Sequence, residues 1–366
     1  MRIIIGCGGT GGHFYPGYAL GKELRARGHE VLFVLRTEDP AAARLQEEDL
    51  SFVEIDLRGL PRRIGPKLFS FFWKLLGSLK TCRHLLRAWK PDAVVGMGGY
   101  LTFPLAAAAK ITRTPLILHE SNVILGLANK VCRPWAQALA LGLPMPVPPA
   151  GRSALTGTPI REDLARRADP AASRRTLGLD PARATLLVFG GSQGASAINR
   201  AVPEAAALLA EEGLSFQILH LAGRMNAQET QALYEKSKCK AVVLPYLEDM
   251  ASAYAAADVA LCRSGAATLA ELAAQEKPAL LIPYPNAAAR HQEANARVLE
   301  SAGAARILLE PLEPRSLAEA LRPLLADAAL RKNLSSAYAR LGLPSAGASA
   351  RSLADLVEDC SQAKKA

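Results

Sequence analysis

Arg2-Ile3-Ile4-Ile5-Gly6-Cys7-Gly8-Gly9-Thr10-Gly11-Gly12-His13 decides how the rest of the chain is read. A β-branched run stops in glycines, and a helical pattern follows over residues 17–27. Strand, tight turn and helix in that order open a parallel α/β domain. The turn faces a helix N-terminus, whose unpaired N–H groups and dipole favour an anion. Five glycines in seven residues let a ligand approach the backbone closely. Thr10 adds a hydroxyl and His13 a titratable ring at the mouth of the same turn.

The pattern recurs along the chain. Strands are expected at 29–36 and 51–56, within 91–100 where one ends in glycines, within 114–122 where one ends in polar residues, and as a last strand and hinge at 154–161, then at 184–189, 216–221, 241–245, 258–262, 279–283 and 305–309. Helical patterns fill the gaps, which argues a parallel sheet in each half. The stretch Leu186-Leu187-Val188-Phe189-Gly190-Gly191-Ser192-Gln193-Gly194-Ala195 mirrors the opening of the chain. Two halves that each begin with a phosphate-type loop predict two Rossmann-like domains facing across a cleft. Residues 141–151 hold four prolines and read as irregular connection. The expected boundaries are 1–158 for the first domain and 159–344 for the second, with a helix near 345–366 crossing back to the first.

In open parallel sheets, ligands sit at the carboxyl ends of the strands. His13, Tyr100, Glu120 and Asn122 all lie at such ends in the first half, so one crevice is expected to collect them. Each alone also reads as a turn or capping residue. In the second half, Gly265 frees a turn before a helix whose first residues, Ala266, Ala267 and Thr268, can take a phosphate. Glu271 in that helix is either a solvated carboxylate or an acceptor for sugar hydroxyls. Gln292 and Asn295 share a helix face and have the same two readings.

Composition bounds these readings. The chain has 366 residues, 50% of them hydrophobic and 21% charged, which is globular, not disordered. The net charge of +10 suits an anionic partner, and equally a chain that is simply rich in arginine. The six cysteines are scattered without a C-x-x-C pair, so neither zinc nor a disulfide framework is indicated. An N-terminus that enters a core strand directly argues against a cleaved signal peptide, and no apolar run approaches the roughly 18–20 residues of a span. The expectation is a cytoplasmic protein that meets a membrane only at its surface. Leu68 to Leu76 carries Phe69, Phe71, Phe72 and Trp73, flanked by Arg62, Arg63, Lys67, Lys74 and Lys80. That is either a helix packed on the sheet or an interfacial patch, with apolar groups in the lipid boundary and cations at the headgroups.

Taken together, Gly8-Gly9-Thr10-Gly11-Gly12-His13, Gly96-Met97-Gly98-Gly99-Tyr100, His119-Glu120-Ser121-Asn122, Gly190-Gly191-Ser192-Gln193-Gly194-Ala195 and Arg263-Ser264-Gly265-Ala266 closely resemble the MurG family. Those are membrane-associated N-acetylglucosaminyltransferases of peptidoglycan synthesis. The resemblance runs from about residue 2 to about 310. It implies a GT-B fold and an inverting, metal-free transfer of N-acetylglucosamine from UDP-N-acetylglucosamine to the C4 hydroxyl of the muramyl sugar of lipid I. Lipid II is the product, and no cofactor is implied. Carried over residue by residue, it puts Thr10, Gly11, Gly12, Asn122, Arg161, Ser192, Leu247, Ala266, Ala267, Thr268, Glu271 and Gln292 at the donor. Leu247 would offer its backbone to uracil and Glu271 would hold the ribose. His13, Tyr100 and Asn122 would face the acceptor. Arg62, Arg63, Lys67, Phe69, Phe72, Trp73 and Lys74 would dock on the anionic inner face of the cytoplasmic membrane, with no nucleic acid involved. Ser121 and Ala270 depart from the family pattern, which more often has Gln and Ser there.

An inverting transfer needs a base for the hydroxyl and charge stabilisation on the leaving diphosphate. His13 is the candidate base, since imidazole titrates near neutrality, and Glu120 is the second candidate. Other readings are an NAD-dependent oxidoreductase, for which Glu38 or Asp39 would hold a ribose, a non-enzymatic nucleotide-sugar binder, and a GT-B transferase with another acceptor. The paired glycine loops have no reason under the first. One chain carrying both half-sites argues against the second.

Overall fold

The computed structural model describes the chain apart from residues 58–65, 166–167, 192, 238, 346 and 363–366, with the backbone alone described at 66–72 and 165. The chain divides into two units, Met1–Arg161 together with Leu343–Ala366, and Glu162–Gly342. Arg161 therefore closes the first unit.

In the first unit the elements alternate as the sequence pattern requires. They are β1 (Arg2–Gly6), α1 (Gly11–Ala26), β2 (Glu30–Arg36), α2 (Ala41–Glu47), β3 (Phe52–Ile55), α3 (Pro66–Trp89), β4 (Ala93–Gly96), α4 (Thr102–Thr112), β5 (Leu116–Glu120), α5 (Leu127–Cys132), β6 (Ala138–Leu141) and β7 (Ser153–Leu155). The sheet runs β3-β2-β1-β4-β5-β6-β7 and every pairing is parallel. Strands buried on both faces need apolar residues at every position, and β1 shows why. Ile3 and Ile5 enter one core with Phe33 and Leu35, while Ile4 enters the other with Leu32 and Val34.

The second unit repeats the scheme with α6 (Pro170–Thr176), β8 (Thr185–Phe189), α7 (Ser196–Glu211), β9 (Gln217–Leu221), α8 (Ala227–Ser237), β10 (Ala241–Leu244), α9 (Met250–Ala256), β11 (Val259–Cys262), α10 (Ala266–Ala274), β12 (Ala279–Leu281), α11 (His291–Ser301), β13 (Ala305–Ile307), α12 (Pro314–Ala326) and α13 (Ala328–Ala337). Its order, β10-β9-β8-β11-β12-β13, is also wholly parallel. In both sheets the strand order reverses beside the first strand of the unit, between β1 and β4 and between β8 and β11. That reversal opens a crevice at the carboxyl ends. The glycine loops that the sequence singles out occupy those two points.

The last helix, α14 (Ala348–Gln362), belongs to the first unit. Leu353, Leu356 and Val357 are buried in the core with Ile3, Ile5 and Phe33, and each contributes about 1.5–3 kcal/mol on full burial. Charges fix its register. Arg27 binds Asp355 at 2.6 Å and Glu358 at 3.0 Å, and His29 meets Glu358 at 2.6 Å.

Candidate active site

Helix α1 begins at Gly11, six residues before the periodic pattern suggests, because its first turn is glycine and carries no apolar side chain to reveal it. Thr10, extended at φ −151° and ψ 155°, is the N-cap residue. Its carbonyl accepts from the N–H groups of His13 and Phe14 at 3.1 and 3.0 Å. His13 thus rides on the first helical turn, where the dipole disfavours a positive charge. The Thr10 side chain does not cap the helix. Its Oγ1 lies 3.1 Å from His13 Nδ1. A proton on Nδ1, donated to Thr10, leaves the Nε2 lone pair as the basic one.

The second glycine turn walls the ring. A Cβ built at Gly98 would stand 3.0 Å from His13 Cδ2 and 3.1 Å from Nε2, and one at Gly99 3.3 Å from Nδ1. Both residues have positive φ, +95° and +72°, so glycine is required twice over. Thr102 braces this turn, with Oγ1 accepting from Gly98 N at 3.1 Å and donating to Gly98 O at 2.8 Å. Burial pushes the His13 pKa below its ordinary value, and the negative charge of Glu120 offsets part of that. Burial thus favours the neutral ring, the form that can take up a proton.

Glu120 closes β5 and is 4% exposed. Its Oε1 accepts from Asn122 N at 3.1 Å and Asn122 Nδ2 at 3.0 Å. Its Oε2 accepts from Gly126 N at 2.8 Å and Asn129 Nδ2 at 2.9 Å. Four donors on one buried carboxylate tie the end of β5 to the loop that follows it and to α5. That arrangement suits a positioning group better than a proton carrier. Asn129, on α5, is a residue the sequence reading misses. It also donates to His119 O at 2.9 Å, and its buried Oδ1 makes no hydrogen bond. A single Asn in a short helix carries no spacing signal that would reveal it. Asn129, Glu120 and Asn122 thus form one hydrogen-bonded group, and a side chain at Gly98 would come within 4.0 Å of Asn129 Nδ2 as well as against the His13 ring. Tyr100, in the turn beside them, is 52% exposed.

Asp39 bears on the dinucleotide reading. It lies just past β2, where such a site needs an acid for a ribose. Yet it is 7% exposed, and its carboxylate accepts from Gly9 N at 2.6 Å and Ala41 N at 3.1 Å, with Arg36 Nε at 3.3 Å. The acid is spent on the glycine loop itself. Arg161 sets its guanidinium over the Tyr15 ring, 5.6 Å from the centroid.

In the second unit, the loop after β8 is pinned by close backbone approach. A Cβ on Gly194, at φ +73°, would lie 2.0 Å from Ala222 O. Ser192, in that loop, lies outside the described residues. Across the switch point, α10 starts after Gly265 with no side-chain cap, so the N–H groups of Ala266, Ala267 and Thr268 open the helix toward an anion. Glu271, one turn on, accepts from Tyr254 Oη at 2.8 Å. Gln292 accepts from Tyr284 N through Oε1 at 2.9 Å and from Ser264 Oγ through its carbonyl at 2.8 Å. Asn295 is fully buried and donates to Ser264 O at 3.3 Å, so it braces the loop after β11. Leu247 lies in the loop 245–249 at the carboxyl end of β10.

Arg62 and Arg63 fall outside the described residues, and Lys67, Phe69 and Phe72 lie on α3 with only their backbone described. Trp73 and Leu76, on the same helix, are 63% and 59% exposed. Lys80, Arg83 and Arg87 continue that exposed face. Lys74 forms an ion pair with Asp56, at 2.7 and 2.8 Å to its two oxygens. Among the described residues, no helix is long and apolar enough to cross a membrane.

Known proteins resemble the chain over most of its length. The sequence model of the glycosyltransferase family 28 N-terminal domain matches residues 3–141, and that of the family 28 C-terminal domain matches 185–356. A protein of Elusimicrobium minutum is 42% identical over 306 residues, covering 83% of this chain and 84% of its own length. One of Halothermothrix orenii is 39% identical over 316 residues, with 83% and 85% covered. Both are named UDP-N-acetylglucosamine--N-acetylmuramyl-(pentapeptide) pyrophosphoryl-undecaprenol N-acetylglucosamine transferase. The crystal structure of Acinetobacter baumannii MurG superposes with a TM-score of 0.79 at 27% identity, covering 98% of this chain and 99% of that one. The glycosyltransferase of kitacinnamycin, at 19% identity and a TM-score of 0.73 over 98% of each chain, shares the fold.

Proposed function

Because the chain belongs to the MurG family within glycosyltransferase family 28, we propose that it transfers N-acetylglucosamine from UDP-N-acetylglucosamine to the muramyl sugar of lipid I, giving lipid II. The acceptor atom is the C4 hydroxyl. His13 Nε2 takes its proton as the oxygen attacks the anomeric carbon from the face opposite the diphosphate. The bond from that carbon to the diphosphate oxygen breaks, and UDP leaves with the electron pair, so the configuration inverts.

The observation that carries this reading is the seat of His13. Thr10 meets Nδ1 at 3.1 Å, and the ring lies so close to the glycine turn that a side chain at Gly98 would stand 3.0 Å from Cδ2. Glu120 acts as a positioning group, holding Asn122 and Asn129 beside that ring. Tyr100 and Asn122 receive the acceptor. On the donor side, Glu271 holds the ribose, the backbone of Leu247 meets uracil, and Gln292 meets the sugar. Ser192 and the N-terminus of α10 at Ala266, Ala267 and Thr268 hold the diphosphate, where fixed N–H groups stabilise the charge that develops on leaving. Thr10, Gly11, Gly12, Asn122 and Arg161 complete the donor contacts. No cofactor is needed for these steps.

The lipid-linked acceptor sets the location. The chain docks peripherally on the cytoplasmic side of the membrane through α3. Trp73 and Leu76 enter the boundary, with Phe69 and Phe72 beside them in sequence, and Lys67, Lys80, Arg83 and Arg87 meet anionic headgroups. Arg62 and Arg63 belong to the same basic stretch.

The test is transfer of labelled N-acetylglucosamine from UDP to a lipid I analogue with EDTA present. Product at a rate unaffected by EDTA is expected. A strict metal requirement, or no transfer, overturns the proposal. Transfer to another lipid-linked sugar in place of the lipid I analogue would favour a transferase with a different acceptor.

A further inference from the structure

We propose that Tyr254 is a positioning residue for donor recognition, setting the orientation of the Glu271 carboxylate toward the ribose of the nucleotide. This rests on the reading of Glu271 as the ribose-holding group.

Tyr254 is wholly buried on α9, yet it carries a hydroxyl that must find a partner. The partner is Glu271 Oε2, at 2.8 Å. A donor on a carboxylate makes a charge-assisted bond, stronger and more directional than one between neutral groups. The ring is packed inside the unit. It meets Phe189 edge to face, with centroids 6.0 Å apart and planes at 82°. Phe189 is the last residue of β8 and leads directly into Gly190 and Gly191 of the donor loop.

Two donor elements therefore meet on one side chain, and a third leads into the helix that carries it. The glycine loop begins at the residue the ring packs on. Glu271 receives the hydroxyl. The loop 245–249, which holds Leu247, leads into the helix that carries Tyr254, and Asp249 caps that helix by accepting from Ser252 N at 3.0 Å. A carboxylate that accepts two ribose hydroxyls must be held in one rotamer. If the protein does not fix it beforehand, binding must order it, at a cost in affinity. Tyr254 does the ordering in advance, through a bond 17 residues long in sequence that neither motif nor spacing announces.

The test compares wild type, Tyr254→Phe and Glu271→Gln, each as the full chain. Two donors are used, UDP-N-acetylglucosamine and an analogue whose uridine lacks both ribose hydroxyls. Tyr254→Phe keeps the ring and its packing and removes one oxygen. For the natural donor, KM is expected to rise roughly three- to tenfold while kcat stays within about twofold. For the analogue, Tyr254→Phe and wild type should have the same KM, and turnover of the analogue also reports that the variant is folded. Equal KM values for the natural donor overturn the proposal. So does a KM rise of the same size with both donors, which is what a merely structural role would give. Glu271→Gln separates the two failures. If it loses the preference for the natural donor while Tyr254→Phe keeps it, Glu271 holds the ribose without help from Tyr254. If it keeps the preference, the ribose reading itself is wrong and the proposal falls with it. Should Tyr254→Phe prove insoluble, Phe189→Leu tests the same packing, with the same donor-dependent KM rise expected and an unchanged KM overturning the proposal.

Discussion

Gly98→Ala tests the seat of His13, the proposed base, directly. The added methyl would stand 3.0 Å from His13 Cδ2 and 3.1 Å from Nε2. Ordinary carbon–carbon contact is about 3.5–4.0 Å, so ring or turn must give by roughly 0.5–1 Å. Misplacing a reacting group by about 1 Å can cost 10²-fold, so kcat should fall about 10- to 100-fold. The substitution also strains the backbone, since Gly98 has φ +95°, and an L-residue there costs about 1–2 kcal/mol. Gly28→Ala controls for that strain. Gly28 has φ +82°, ends the turn after α1, and its Cβ would meet nothing within 4 Å. Steady-state kinetics with UDP-N-acetylglucosamine and a lipid I analogue, alongside thermal melts, distinguish the two. Both variants should melt a few degrees early, and only Gly98→Ala should lose turnover. Wild-type kcat in Gly98→Ala, or equal losses in both, would refute the argument that this turn positions the base.

The pH profile gives a second prediction. A base must be unprotonated, and the His13 pKa lies below its ordinary value, chiefly through burial. Activity should therefore be level at neutral pH and fall as the pH drops through a value under about 6.5. His13→Ala should lose about 10²–10⁴ in kcat and flatten that acid limb, whereas Glu120→Gln should keep the limb; the reverse pattern would make Glu120 the base. For the membrane, Trp73→Glu with Leu76→Glu should weaken binding to vesicles containing anionic lipid, read by sedimentation, while transfer to a soluble acceptor analogue is retained. Lys74 is a poor probe, because Asp56 already pairs with it. Vesicle binding unchanged in the double variant would count against docking through α3.

Much of the candidate site is legible as residue types. Thr10, His13, Tyr100, Glu120 and Asn122 lie at strand ends because a β-branched run that stops in glycine marks where a parallel strand ends. The roles were less legible. His13 looked like a loop residue, since glycine at 11 and 12 hides the first turn of a helix. Glu120 reads from the sequence as a second candidate base or a turn residue, and Asp39, with Glu38, as an acid that a dinucleotide site would use. Glu120 and Asp39 are both occupied by backbone N–H groups, which no side-chain pattern records.

The sequence by itself determined two parallel α/β units and the strand ends that carry chemistry. Those follow from local rules, namely burial on both faces of a strand, helical periodicity and the conformational freedom of glycine. Only the tertiary structure decided which neighbours those residues keep. Asp39 reaches Gly9 across 30 residues, Lys74 reaches Asp56 across 18, and Tyr254 reaches Glu271 across 17. Each pairing depends on sheet order and on where helices come to rest on the sheet, and that is fixed by the packing of the whole core rather than by any one stretch of chain.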